Sequence, residues 1–209
     1  ARHAPDLKSF VFASSSSVYG DAERMPTSED QILRPLSPYG ATKALGENLN
    51  YLYFRSYNVP TLNLRYFSVY GPRQRPDMAF HRAIEAALTE HDFFLSGDGR
   101  QTRDFTYVAD VVDGTILAAL NGDPGQTYNI GGGGNVAMAD VLEKLREFVG
   151  DLRVRRRAVE RGDARDTAAD ISRARDEVGY RPGWALSAGL LEQVGWHRDR
   201  ERAPALPSP

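Results

Sequence analysis

The alternation of apolar and polar positions divides the chain into two differently built stretches. Near the N-terminus, Ser9–Ala13 (SFVFA) is a nearly continuous apolar run, the pattern of a strand buried on both faces of a parallel sheet. Leu45, Leu49 and Leu52 then recur at helical spacing between Ser37-Pro38 and Asn58-Val59-Pro60. Ser37 suits an N-cap, Pro38 the first helical position, and Pro60 ends the segment, so the pattern predicts a helix to about residue 57 whose leucine stripe packs inward. Thr61–Phe67 (TLNLRYF) reads as a second strand. A strand, a long helix and a strand with short joints form a βαβ unit, which implies parallel pairing. Beyond Gly71-Pro72 the elements shorten. Helices are expected over 79–88, 108–120, 138–148, 171–178 and 186–198, with strands over 93–95, 103–107, 127–130 and 152–159. This is an α+β layout, and it places a boundary near residue 72. The Pro-rich end, 199–209, is expected to be disordered.

Composition removes several classes of function. The 209 residues are 41% hydrophobic and 26% charged, enough for one large domain or two small ones. A net charge of −2 gives no reason to expect nucleic acid or an anionic membrane as partner. The basic run Arg153, Arg155, Arg156, Arg157 reads as a solvated edge. With no cysteine there is no disulfide framework, thiolate nucleophile or Cys-based metal site, and no metal is expected. No apolar run approaches the ~18 residues that a membrane span requires, and the N-terminal residues lack a signal-peptide core. The expected compartment is the cytoplasm.

The chemistry concentrates on one rim. Tyr39 and Lys43 lie four positions apart at the start of the long helix, so phenol and ammonium share a face. The ammonium and the positive end of the helix both favour a phenolate, which equips the pair for proton transfer. The first strand ends in Ser14–Ser17, and the second in Tyr66-Phe67-Ser68. In open parallel sheets ligands bind at the carboxyl ends of strands, so hydroxyls, a phenol and an ammonium converge there. Taken singly, each has a plainer reading: serines cap turns, and Tyr/Lys pairs arise by chance on helices.

The segments A13-S-S-S-S-V-Y-G20, S37-P-Y-G-A-T-K43, L64-R-Y-F-S-V-Y-G-P72 and G97-D-G-R-Q-T-R-D-F-T-Y-V-A-D110, in this order, resemble the extended short-chain dehydrogenase/reductases, and within them the nucleotide-sugar epimerases and dehydratases. The resemblance covers most of residues 8–197. It implies that residues 1–72 are the C-terminal portion of an NAD-binding Rossmann domain and that 73–198 bind a nucleotide sugar. It implies Tyr39 as proton carrier, Lys43 as its partner and a nicotinamide-ribose ligand, and Ser15 as donor to the sugar 4-oxygen. Tyr66 and Phe67 would line the nicotinamide, and Ser16 and Ser68 the sugar. Ser68 stands where family members often carry Asn. Arg103 would hold the diphosphate, with Phe105 beside it, and the strand over 93–96 would flank the base. A second phosphate-binding Arg is expected just ahead of a Gly-Asp; here Glu160 occupies that position, and Arg165, or else Arg161, would substitute.

The resemblance also narrows the reaction. Dehydratases carry Asp-Glu directly after the strand-end Ser/Thr, whereas Ser16 and Ser17 stand here. The pattern is nearest the 4-epimerases, of UDP-glucose or UDP-glucuronate type. The alternatives are a related reductase or decarboxylase, or an inactive nucleotide-sugar-binding fragment. Family members pair as homodimers through the Tyr-Lys helix, so a homodimer is implied. Gly131–Gly134 imitates a dinucleotide loop, with Asp151 placed 20 positions after Gly131. Asp151 precedes its strand instead of ending one, however, and in the family this turn lies away from the pyrophosphate. The true glycine fingerprint belongs upstream of Ser9. At ~30 residues per βαβ unit, roughly a hundred residues of nucleotide-binding domain are expected to be absent.

Overall fold

A computed structural model describes residues 1, 3–158, 162 and 164–202. Along the chain lie β1 (Phe10–Ser15), α1 (Pro38–Tyr57), β2 (Thr61–Tyr66), β3 (Ser68–Tyr70), α2 (Ala79–Leu88), β4 (Phe93–Ser96), β5 (Thr102–Arg103) and β6 (Phe105–Tyr107). There follow α3 (Val108–Asn121), β7 (Thr127–Ile130), β8 (Val136–Ala137), α4 (Met138–Val149), β9 (Val154–Arg157) and α5 (Leu186–Arg202). The chain forms two compact units. The first comprises 1–69, 102–136 and 160–184; the second comprises 70–101, 137–159 and 185–209. The first crossing falls beside the boundary expected near residue 72, but the chain then returns to the first unit and leaves it again. Compactness does not require contiguity in sequence.

In the first unit, β1, β2 and β7 form a parallel sheet in that order, as the βαβ reading requires. Its core is Leu62, Leu64, Tyr128 and Ile130 from the sheet, Val111 and Ala118 from α3, and Ala174, Val178 and Tyr180. Ser37 caps α1, its hydroxyl accepting the Gly40 N–H at 3.1 Å, with Pro38 in the first turn. Asn58 closes the helix in the left-handed region, at φ 52°, a conformation Asn tolerates.

The orientation of α1 differs from the expectation. Leu45, Leu49 and Leu52 are 60%, 49% and 48% exposed, while Gly40, Glu47 and Asn50 are buried. Two features turn the helix this way. A Cβ on Gly46 would meet the Phe12 ring at 2.3 Å, and one on Gly40 would meet the Ser17 carbonyl at 2.5 Å, so glycines let the helix lie close upon β1 and the turn after it. Polar pairing does the rest. Glu47 accepts from Arg65 of β2 through Nε at 3.0 Å and Nη2 at 2.7 Å, and Asn50 donates to Asn63 at 2.8 Å. Arg65 also donates to the Tyr19 hydroxyl at 2.8 Å and the Glu29 carbonyl at 2.9 Å. Tyr19 passes its proton donor to Asn129 of β7 at 2.7 Å.

In the second unit β4 and β9 pair in parallel, and α2, α4 and α5 contact one another. Phe80, Ile84, Phe93, Leu95, Val141, Leu145, Leu190 and Val194 are buried there. α5 continues to Arg202, four residues into the segment expected to be disordered; its run of Arg and Glu has good helix propensity. Residues 203–209 lie outside the described part. Among the described residues no helix is long and apolar enough to cross a membrane. His81 and His197 are both buried, with ring centroids 4.4 Å apart.

Two predictions concern stability. Removing one partner of the buried Glu47–Arg65 pair leaves an uncompensated charge, so Glu47→Ala is expected to lower unfolding free energy by about 3–5 kcal/mol, measured by urea denaturation. Burial, with His81 and Arg200 adding like charge, lowers His197 to about 4. The unfolded chain, at an ordinary ~6.5, then binds more protons than the folded one between those values, so stability is full above pH 6.5 and falls toward pH 4. The expected loss between pH 7 and pH 5 is roughly 2 kcal/mol, and His197→Phe should flatten that slope.

Candidate active site

The first strand delivers two serines to different tasks. Ser14 points inward and its hydroxyl donates to Glu47. Ser15 caps the single helical turn Ser16–Val18: its Oγ accepts the Ser17 N–H and donates to the Ser17 hydroxyl, both at 3.1 Å. Ser15 thus caps the turn. Ser16 and Ser17 instead line a cleft with Gly20, Leu36, Ser68, Arg103 and Thr167. Gly162 and Ala164 complete it.

α1 starts against this same turn, because Gly40 packs on the Ser17 carbonyl. Tyr39, the preceding residue, is 52% exposed. Lys43 extends along β1 and donates from Nζ to the Ala13 carbonyl at 2.7 Å. The same ammonium stands 5.6 Å from the Tyr39 ring centroid and 5.2 Å from that of Phe12, within cation–π range. Local packing therefore sets the start of α1 against the end of β1, while Ser15, Tyr39 and Lys43 are not among the residues lining the cleft.

The next strand end is divided. Ser68 reaches the cleft. Phe67 is buried against Val18, Tyr19 and Ala169. The Tyr66 hydroxyl pairs with Thr115 of α3 at 2.9 Å, and burial raises its pKa. On the far wall, the Arg103 guanidinium donates to the carbonyls of Arg165 at 2.6 Å and Thr102 at 3.0 Å. Arg165 itself sends an exposed side chain toward Asp166, at 3.8 Å. Phe105 is half-buried, its carbonyl facing Gly132. Glu160 and Arg161 lie outside the described residues.

The glycine run is occupied from within. The Asp104 carboxylate accepts the N–H of Gly132 at 2.6 Å, of Ala169 at 3.1 Å and of Gly133, as well as the Thr106 hydroxyl at 3.3 Å. Asp104 is fully buried, and burial raises its pKa against the pull of those donors. A Cβ on Gly131 would meet that of Ala169 at 2.4 Å. The turn needs glycine for close packing around an internal anion, so it is not a free cradle for a phosphate. Sequence reasoning assigned no role to Asp104, Thr167 or Glu47. For Glu47 a signal exists: it lies one turn beyond Lys43, a carboxylate on the face that carries the Tyr/Lys pair.

Residues 1–131 match the model of the NAD dependent epimerase/dehydratase family. An uncharacterised UDP-glucose epimerase of Bacillus subtilis, YtcB, is 42% identical over 199 residues, covering 91% of this chain and 60% of that protein. A UDP-glucuronate 4-epimerase of Thermodesulfobacterium geofontis is 37% identical over 196 residues, with 92% and 60% covered. The crystal structure of UDP-glucuronic acid 4-epimerase from Bacillus cereus, in complex with UDP-glucuronic acid and NAD, superposes with a TM-score of 0.91 at 40% identity. It covers 95% of this chain and 64% of the other. The chain thus spans about three fifths of the length of the curated relatives it matches.

Because Gly131 has no room for a side chain, Gly131→Ala is expected to cost about 1–3 kcal/mol, read as a lowered thermal midpoint.

Proposed function

The chain belongs to the NAD dependent epimerase/dehydratase family, and from that premise we propose that it carries the proton-transfer side of a cytoplasmic nucleotide-sugar 4-epimerase, of UDP-glucuronate or UDP-glucose type. The observation that supports this reading is that α1, which carries Tyr39 and Lys43, starts against the turn after β1 through Gly40, and that Ser16 and Ser17 of this turn line a cleft with Ser68, Thr167 and Arg103. Tyr39 takes the proton of the sugar 4-hydroxyl and later returns it. Ser15 turns its donor from Ser17 to the sugar 4-oxygen. Lys43 stands beside Tyr39, its ammonium 5.6 Å from the Tyr39 ring centroid.

The residues fit the nicotinamide end of NAD. One of the three Lys43 donors is held by Ala13, which leaves two for ribose hydroxyls, and Tyr39 is accessible. Of the two aromatics assigned to the nicotinamide, Phe67 is buried in the core, and only Tyr66, which is partly exposed, keeps surface to offer. The glycine turn, filled by Asp104, does not fit the pyrophosphate. When bound, NAD supplies the hydride acceptor and donor at C4.

Arg103 suits the diphosphate, since a guanidinium fork meets two oxygens at once. Phe105 stands beside it, and the exposed Arg165 supplies the second cation. The polar lining is Ser16, Ser17, Ser68, Thr167 and Arg103, with no carboxylate among the described residues. A uronate carboxylate would there meet donors and no like charge, which favours the UDP-glucuronate type. The sugar must turn over between hydride removal and return, and holding it by its diphosphate leaves the ring free to do so. The outward faces of α1 (Leu45, Leu49, Leu52) and α3 (Val112, Ile116, Leu120) are exposed and apolar, and a second copy of the chain is the partner we assign to them.

The test is incubation of an intact version, in which the chain is joined to the nucleotide-binding segment that its curated relatives have and it does not span, with UDP-glucuronate or UDP-glucose and NAD⁺, resolving products. The expected outcome is the C4 epimer without net NADH. Accumulating NADH or released carbon dioxide would overturn the reading. Tyr39→Phe should lower kcat by about 10²- to 10⁴-fold with UDP binding retained.

A further inference from the structure

The buried carboxylate of Asp104 lies outside the chemistry proposed above, yet it joins three segments of the first unit. It is fully buried, and backbone N–H groups of Gly132, Gly133 and Ala169 converge on it. A single anion therefore ties the strand carrying Arg103 to the glycine turn and to the strap over 165–169. The strap runs parallel to that strand. Thr167 N–H donates to the Thr102 carbonyl at 3.0 Å, Asp104 N–H donates to the Thr167 hydroxyl at 3.3 Å, and Asp166 accepts from both the Thr102 N–H and hydroxyl. The Arg103 guanidinium is in turn oriented by the Arg165 carbonyl of that strap. The strap and strand supply Thr167 and Arg103 to the cleft wall.

We infer that Asp104 is a positioning residue for diphosphate recognition: as an internal anion it fixes the strap whose carbonyl aims Arg103. It touches neither sugar nor base, so its effect is confined to ligands that carry the phosphates. The physical basis is the number of donors facing one group. An amide in place of the carboxylate turns an NH₂ toward converging N–H groups and leaves at least one of them unpaired, which the strap relieves by moving. The inference rests on the reading of the cleft as a nucleotide-sugar site.

The experiment titrates UDP and uridine into the folded protein by NMR. It compares wild type, Asp104→Asn, Arg103→Ala and the double variant. Asp104→Asn is expected to weaken UDP on the order of 10-fold and to leave uridine within about 2-fold. In the Arg103→Ala background it should add nothing beyond about 2-fold, since two groups acting through one contact are not additive. Equal losses for UDP and uridine, or additive losses in the double variant, would mean a purely structural role and overturn the inference. Should Asp104→Asn fail to fold, Thr106→Val removes one donor to the carboxylate while keeping the side chain's shape. Its expected effect is about 2- to 3-fold on UDP alone, and no change in UDP affinity would count against the inference. Wild type that binds UDP with Asp104→Asn equal to it sinks only the role of Asp104. Wild type that binds no UDP sinks the nucleotide-sugar reading as well.

Discussion

The ion pair between Glu47 and Arg65 is the constraint on which the first unit depends. Both side chains are nearly inaccessible, at 6% and 7% exposure. Two charges withdrawn from water are tolerable only when their hydrogen-bonding capacity is met. Arg65 meets this by directing Nε and Nη2 to Glu47 and Nη1 to Tyr19 and the Glu29 carbonyl. Ser14 supplies a further donor to the carboxylate. The pair therefore links β1, α1, β2 and the loop after β1 in one arrangement. Tyr19, pushed up to about 12 by burial, stays a neutral donor and extends the network to Asn129. Asn129 then bonds Glu29 and the carbonyls of Thr27 and Asp170. An apolar interface would tolerate sliding of the helix along the sheet; this one has one satisfied register.

That network explains what was legible in the sequence and what was not. The βαβ order, the Ser37-Pro38 start and the Asn58 stop depend on local propensity, and they stand where the pattern puts them. The facing of α1 does not depend on its own composition. An apolar stripe is inward by default, but Glu47 pairs with Arg65 of β2, Gly46 packs on Phe12 of β1, and Gly40 packs on the turn after it. A single-chain pattern contains no term for a partner 18 residues away. The placement of Asp151 ahead of its strand sets the glycine run aside as a phosphate loop, but the aspartate seated in that run is visible only in the fold.

The site was more legible than its supports. The candidate residues sit at strand ends and a helix start, where spacing along the chain maps to spacing in space. Tyr39, Lys43 and the strand-end serines could be grouped on that basis. Thr167 could not, since it reaches the cleft on an irregular strap whose course is set by Asp104 and Asp166. Tyr66 and Phe67, grouped by sequence with Ser68, pack instead into two different clusters, Tyr66 beside α3 and Phe67 with Val18, Tyr19 and Ala169, while Ser68 reaches the cleft.

The bond from Lys43 to the Ala13 carbonyl has a thermodynamic consequence for any ligand that meets this ammonium. A free lysine loses about 1.5–2 kcal/mol of rotamer entropy when immobilised. Here that ordering accompanies folding, since the stem is already laid along β1 with its tip anchored. A ligand arriving at Lys43 encounters a stationary charge of known direction, and association there involves desolvation and contact with little further loss of side-chain disorder.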